Sequence, residues 1–304
     1  MARPVPENRT LVLDRRTTRR FFILRPDADG TSRRVFLYCV AVIAQKHGIV
    51  VHAMVQMSTH WHVCLTDVRG VLPYFLADVH RTLAECFKKH RGWEEEVWNK
   101  SQTGTVDIET SGGALKQLAY LMCNPIEAGM VRKLEEYPGA LSQPGRIGRC
   151  TSTLRRPSVG YFKSDEIWPK TATLSFELPE VLTSEFGETG ARRAIVEAVN
   201  ERAEMLRTER AANGLGYLGA KAVCEAPVTT CATKEEVRGS RKPTFALGSN
   251  EGEVYRRKVE ELREWRAAYA RCLERWRQGD RDVLWPPNTW KMRVLHGVRC
   301  APPD

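Results

Sequence analysis

The most constraining stretch of this chain is residues 49–66. Residues 49–57 are nearly continuous apolar sequence rich in β-branched side chains, and 61–66 resume the same character after the short turn Ser58-Thr59. Apolar runs of this length bounded by turn residues read as buried strands, and a two-residue connection makes them neighbours. His60 and His62 stand two residues apart at the start of the second strand. Side chains at i and i+2 leave a strand on the same side, so both imidazoles face one point while Trp61 enters the opposite layer. Such a pair presents half of a divalent metal site, although an H-x-H pair among 7 histidines also arises by accident.

The flanking sequence suggests what surrounds that hairpin. Residues 1–20 are polar and basic, with Arg3, Arg9, Arg15, Arg16, Arg19 and Arg20, and read as a basic arm over 1–17 that touches phosphate or as a solvated tail. Phe21-Phe22-Ile23-Leu24 predicts a first strand, ended by the turn-forming Pro26-Asp27-Ala28-Asp29-Gly30. Helical spacing of Phe36, Leu37, Val40, Ile43 and Ala44 predicts a helix over 33–47, with Gly48 as its stop. A second helix follows over 71–90, a short strand over 103–108, and a third helix after Ser111-Gly112-Gly113. Tyr120 interrupts the apolar face of that third helix, and Pro125 strains it. The order β-α-β-β-α-β-α predicts the α+β class: a ferredoxin-like antiparallel sheet with helices on one face.

Beyond it the punctuation changes. Pro138-Gly139, Pro144-Gly145, Pro157, Gly160, Pro169 and Pro179 interrupt weakly patterned sequence. This places a boundary near 150, with a first domain over 18–145, a linker or irregular region over 146–190, and a mainly helical or irregular C-terminal extension over 191–304. The extension should hold helices over 190–212 and 253–278, an irregular Gly-rich stretch over 213–250, and a tail over 283–300 forming an ordered loop or short β segment.

The chain of 304 residues carries 47 Lys and Arg against 37 Asp and Glu, a formal charge of +10. That balance favours a polyanionic partner. The 9 cysteines form no C-x-x-C pair, which argues against a structural zinc cluster and for reduced thiols. No apolar run reaches the length of a membrane span and the N-terminus lacks a signal-peptide core, so a soluble protein without a membrane partner is expected. A phosphate-cradling glycine motif is also missing.

Tyr120 and Asn124, at i and i+4, share one face of a helix. A tyrosine hydroxyl attacks phosphorus once activated, and a carboxamide oxygen is an acceptable hard ligand beside two imidazoles. If His60, His62 and Asn124 hold one cation, a scissile phosphate bound there is neutralised while Tyr120 attacks. The plainer alternative has Tyr120 packing its ring on the sheet and Asn124 capping a helix before Pro125.

Residues from about 18 to 140 resemble the single-tyrosine transposases of the His-hydrophobic-His (HUH) superfamily, especially the branch associated with repetitive extragenic palindromes (REP). The resemblance rests on Val55-Gln56-Met57-Ser58-Thr59-His60-Trp61-His62, on a helix beginning near Leu72, and on Tyr120-Leu121-Met122-Cys123-Asn124-Pro125-Ile126-Glu127-Ala128-Gly129-Met130-Val131. The last block is the specific one, similar to the family's Tyr-x-x-x-Asn-Pro-x-x-Ala-Gly-hydrophobic-Val stretch.

The resemblance implies Tyr120 as nucleophile and His60, His62 and Asn124 as ligands of Mg2+ or Mn2+. It implies single-stranded DNA, often beside a hairpin or palindrome, as substrate, and a 5'-phosphotyrosine intermediate with a free 3'-hydroxyl. Family members act as monomers or as homodimers that exchange tyrosine helices. The implied location is the bacterial cytoplasm or nucleoid. A DNA-binding protein with little turnover and a metal-dependent nuclease using water are the alternatives. The chain departs from the pattern at Leu24-Arg25-Pro26-Asp27, where the family continues its first strand differently, and at Trp61, where a smaller aromatic is commoner. Residues past 150 fall outside the general pattern, although the segment from Lys242 to Cys300 is similar to an extension of some larger bacterial members. DNA contacts are expected from Arg19, Arg20, Arg25, Arg81, Lys88, Arg256, Arg263 and Arg266, with Trp168, Trp285 or Trp290 as stacking platforms for bases.

Overall fold

The computed structural model describes residues 2–100, 103–162, 168–232 and 244–303. They form strands β1 (Arg9–Arg16), β2 (Ile49–Gln56), β3 (His60–Asp67), β4 (Gly104–Ile108), β5 (Thr151–Arg155), β6 (Thr171–Ser175) and β7 (Phe245–Ala246). The helices are α1 (Thr31–His47), α2 (Leu72–Arg91), α3 (Ser111–Glu127), α4 (Glu180–Ala212), α5 (Ala220–Glu225), α6 (Gly252–Arg277) and α7 (Trp290–His296). The main sheet has the order β2-β3-β1-β4-β7, antiparallel throughout except where β7 joins β4 in parallel.

The expected class, α+β with a ferredoxin-like antiparallel sheet, is what forms, but the expectation of helices on one face is corrected: they cover both faces. Its helix layer is divided. Leu11 and Leu13 of β1, with Trp61, Val63 and Leu65 of β3, pack among the buried side chains of α1 and α2. Val12 and Cys64, one residue out of phase, pack with Leu118, Leu121 and Met122 of α3 and with Ile195 and Val199 of α4. Period-two alternation on the central strands thus feeds two cores, and the even-numbered side of β3, which carries His60 and His62, faces α3.

The N-terminal arm expected over 1–17 is corrected by the structure. Over Arg9–Arg16 it is the middle strand of the sheet, paired with β3 from Arg9↔Asp67 to Arg16↔His60 and with β4 from Leu11↔Asp107 to Asp14↔Gly104. Three apolar residues between charged flanks look like a tail in sequence, but a central strand is supported on both edges and buries Leu11, Val12 and Leu13 whole. Its charges are absorbed locally: Arg9 Nε donates to Asp107 Oδ1 at 2.6 Å.

The strand expected at Phe21-Leu24 is also corrected. Phe21 makes an isolated bridge with Cys231, and Ile23 and Leu24 are wholly buried in an irregular crossing. Their backbone is satisfied without a ladder: Gln56 Nε2 donates to the Leu24 carbonyl at 2.8 Å, the Leu24 N–H donates to the Ser58 carbonyl at 3.1 Å, and Arg91 Nε donates to the Ile23 carbonyl at 3.2 Å. The apolar run demands burial, and an irregular crossing with its backbone groups paired supplies that as well as a strand does.

The helices follow their signals. Gly48, at φ 67°, closes α1 in the left-handed conformation that a side chain would strain. The Asp67 carboxylate, at the end of β3, accepts from the N–H groups of Val71 (3.0 Å) and Leu72 (2.7 Å) and caps α2. Thr110 Oγ1 accepts from the Gly113 N–H at 3.1 Å and opens α3. Pro125 does not end that helix, because it falls in the last turn, and the Ala128 N–H still reaches the Asn124 carbonyl at 2.9 Å.

The region read as a linker over 146–190 holds ordered elements. β5 and β6 form an antiparallel hairpin whose Ala172 and Leu174 join the α1 core, while Leu182 at the start of α4 joins the core under α3. Helical structure in α4 begins near residue 180 and is interrupted at Gly187 (φ 64°, ψ 170°). The tail forms a small core of its own: Val283, Trp285, Met292 and Val298 bury against Tyr269 and Trp276 of α6. Of the similar extension beginning at Lys242, residues 242 and 243 lie outside the described residues.

Candidate active site

His60 and His62 project from the start of β3, the histidine rings 4.8 Å apart between centroids and nearly perpendicular. His62 is buried, and its ring meets Tyr120 of α3 edge-on at 5.8 Å. Asn124, one turn further along α3, donates from Nδ2 to the Tyr120 carbonyl at 2.9 Å. That leaves its amide oxygen for His60, with which it shares a side-chain hydrogen bond. On its other nitrogen, Nδ1, His60 is held by the Thr59 hydroxyl at 2.8 Å. The four residues singled out in sequence therefore meet on one face of the sheet, although 43 residues separate the end of β3 at Asp67 from the start of α3 at Ser111. Asn124 is not a helix cap before Pro125, since α3 continues to Glu127.

The electrostatics suit a cation. Burial first, then the neighbouring His62, pushes the His60 imidazole down to about 3. A neutral ring at ordinary pH keeps a nitrogen lone pair for a metal. Among the described residues no set of three His, Cys, Asp or Glu side chains is placed to hold a metal ion. The donor set that does converge has a carboxamide as its third member, and imidazole nitrogens with a carbonyl-type oxygen are acceptable to Mn2+ or Mg2+.

Tyr120 is half-buried. Burial, followed by the Glu127 and Asp14 carboxylates, raises its hydroxyl above the ordinary phenol range, while Arg16 and Arg202 act in the opposite sense. Arg202 of α4 lies over the Tyr120 ring, its guanidinium carbon 5.3 Å from the centroid. Its Nη2 donates to Glu127 Oε2 at 2.8 Å.

Three of these neighbours escape a sequence reading. Asp14 and Arg16 lie on β1, opposite His62 and His60 respectively, and form an ion pair at 3.6 Å. Once residues 9–16 pair as a strand, its period of two places both on the side of the histidines. Arg202 gives no local signal; it sits beside the buried seam Ile195, Val199, Ala203 and Leu206, and only the docking of α4 on α3 brings it to the tyrosine.

The basic residues expected to touch DNA are dispersed. Arg19 is exposed and Arg20 half-buried just past β1, in a turn held against the histidine strand by the Thr17 N–H donating to the Thr59 carbonyl at 2.8 Å. Arg25 is engaged with Asp27 at 3.2 Å and with the Cys224 carbonyl. Arg81 and Lys88 belong to α2, which covers the other face of the sheet. Arg256, Arg263 and Arg266 lie on α6, which is tied to the far end of β4 by Lys258 and Glu109 at 3.3 Å. A cavity of about 720 Å³ opens at that same end, lined in part by Arg9, Asp107, Lys258 and Trp265, and takes in none of the four site residues. Two of the expected base platforms are corrected: Trp285 is wholly buried, and Trp168 is 8% exposed within a cluster with Tyr161 and Phe162. Trp290 is half-buried and meets Tyr74 edge-on at 4.8 Å.

No protein-family model matches the chain, and no curated protein matches it. Among the solved structures similar to it are two transposases. One is a REP-associated tyrosine transposase bound to a REP hairpin, with a TM-score of 0.38 and 15% identity over 46% of this chain and 79% of that one. The other is a proposed transposase from Deinococcus radiodurans R1, with a TM-score of 0.28 and 21% identity over 38% of this chain and 92% of that one.

Proposed function

We propose that this chain is a metal-dependent DNA strand transferase of the single-tyrosine transposase type. The observation that carries the reading is the meeting of His60, His62 and Asn124 with Tyr120 between β3 and α3. His60, His62 and Asn124 would hold Mg2+ or Mn2+, and that cation supplies charge neutralisation at a scissile phosphate when bound. The Tyr120 Oη–P bond forms as the bond from phosphorus to the 3'-oxygen breaks. The phenolic proton leaves to solvent, and the departing oxygen takes up a proton. The product is a 5'-phosphotyrosine and a free 3'-hydroxyl, and reversal onto another 3'-hydroxyl rejoins a strand without a nucleotide cofactor.

The substrate class is single-stranded DNA, with hairpins or palindromes as preferred form, which the formal charge of +10 supports by attraction to phosphate. Arg19 and Arg20, in the turn beside the histidine strand, are the best placed of the basic residues to guide it. The test mixes purified protein and Mn2+ with labelled single-stranded oligonucleotides, including hairpins from the DNA flanking its gene, and resolves products on denaturing gels. A covalent adduct that requires both Mn2+ and Tyr120 is expected. Binding without adduct identifies a DNA-binding protein with little turnover, and cleavage that survives Tyr120→Phe identifies a nuclease using metal-activated water.

A further inference from the structure

We propose that the C-terminal extension completes the active site by delivering Arg202 of α4 as the cation that receives the scissile phosphate while Tyr120 attacks. The inference rests on the reading of Tyr120 as nucleophile and adds to it a residue from outside the sheet domain. Three observations place Arg202 there. Its guanidinium lies over the Tyr120 ring at 5.3 Å, so a phosphorus bonded to Tyr120 Oη falls within reach of a side chain of that length. Its Nε is buried and makes no hydrogen bond among the described residues, which leaves a buried donor at the tyrosine with capacity for an acceptor. Its outer nitrogen is held by Glu127 at 2.8 Å, and that carboxylate is itself 44% exposed.

The pair is best understood as a resting state. Glu127 keeps the guanidinium folded over the ring, and an incoming phosphate, which a guanidinium matches in a fork of two parallel hydrogen bonds, displaces the exposed carboxylate. Arg16, another arginine near the tyrosine, is engaged by Asp14 on its own strand at 3.6 Å and lies on the histidine side. Arg202 approaches from α4 and so adds charge from the other element of the site. It holds charge only; the bond made is Tyr120 Oη to phosphorus, and the bond broken is phosphorus to the 3'-oxygen.

The deciding experiment follows adduct formation with the full chain, Mn2+ and the same oligonucleotide panel. It compares wild type with Arg202→Gln, Arg202→Lys and Glu127→Gln, and measures Mn2+ affinity of each by the paramagnetic signal of the free ion. Arg202→Gln should lower the adduct rate at saturating DNA by about 10²–10³-fold, the usual loss when one transition-state donor is removed. Mn2+ affinity should stay as in wild type, and Arg202→Lys should recover part of the rate. Glu127→Gln, which frees the guanidinium, should form adduct at least as fast as wild type.

An unchanged rate in Arg202→Gln, or loss of adduct in Glu127→Gln, overturns the proposal. Loss of both rate and Mn2+ affinity in Arg202→Gln, without recovery in Arg202→Lys, shows a packing role and also overturns it. Absence of any adduct with wild type instead brings down the tyrosine reading of the site, and this inference with it.

Discussion

His52, away from the site, is kept neutral by burial and reports stability. His52 is 2% exposed; its Nδ1 meets the Glu177 carbonyl and its Nε2 the Thr66 hydroxyl, both at 2.8 Å. Burial pushes it down to about 4. Between that value and the ordinary 6.5 the unfolded chain binds a proton that the folded chain does not, so stability is full above about 6.5 and falls as pH drops toward 4. The slope from this one group approaches about 1.4 kcal/mol per pH unit. Urea titrations at a series of pH values check it: His52→Gln should flatten the dependence, and an unaltered slope would rule His52 out as its source. At the same scale, Asn124→Ala removes the oxygen donor beside His60 and should weaken Mn2+ binding about tenfold or more while the fold persists. The histidine pair and the Tyr120–Asn124 spacing were legible because their periods, two and four, match a strand and a helix. Asp14 was not, because recognising it required knowing that residues 9–16 form a strand.

At the level of elements, β1 is the informative case. A solvated arm can be removed without cost, whereas a central strand cannot. Deleting residues 2–16 should abolish soluble folded protein, and Leu13→Ala, at a fully buried position, should cost about 2–5 kcal/mol in urea unfolding. Retention of wild-type melting temperature by the deletion would contradict the pairing of β1 with β3 and β4. The approach of α3 to β7 gives a second test. A Cβ at Gly113 would overlap the backbone carbonyl of Ala246, so Gly113→Val should detach β7 and lower the melting temperature by several degrees, read by calorimetry. The helices α1, α2 and α3 were legible from apolar spacing and stop signals. The segment 21–24 misled because a buried loop and a buried strand have the same apolar content, and only the location of hydrogen-bond partners separates them.

For the whole molecule, the extension is part of the framework of the candidate site. Ile195, Val199, Ala203 and Leu206 of α4 pack on α3 in the core that also holds Val12 and Cys64 of the sheet. A chain ending at residue 150 should therefore expose the outer side of α3, bind hydrophobic dyes, and lose near-ultraviolet circular dichroism even though it keeps β1–β4 and α1–α3. A sharply melting, dye-free fragment would show instead that α4 is an accessory. The sequence by itself determined the α+β class, the hairpin that carries His60 and His62, and the placing of Tyr120 and Asn124 on one helix face, because each follows from a local period. Tertiary structure alone decided that the basic N-terminus is the middle strand, that α3 lies across the face bearing the histidines, and that Arg202 reaches Tyr120. These depend on which distant segments supply hydrogen-bond partners and apolar cover, and neither is encoded within a single element.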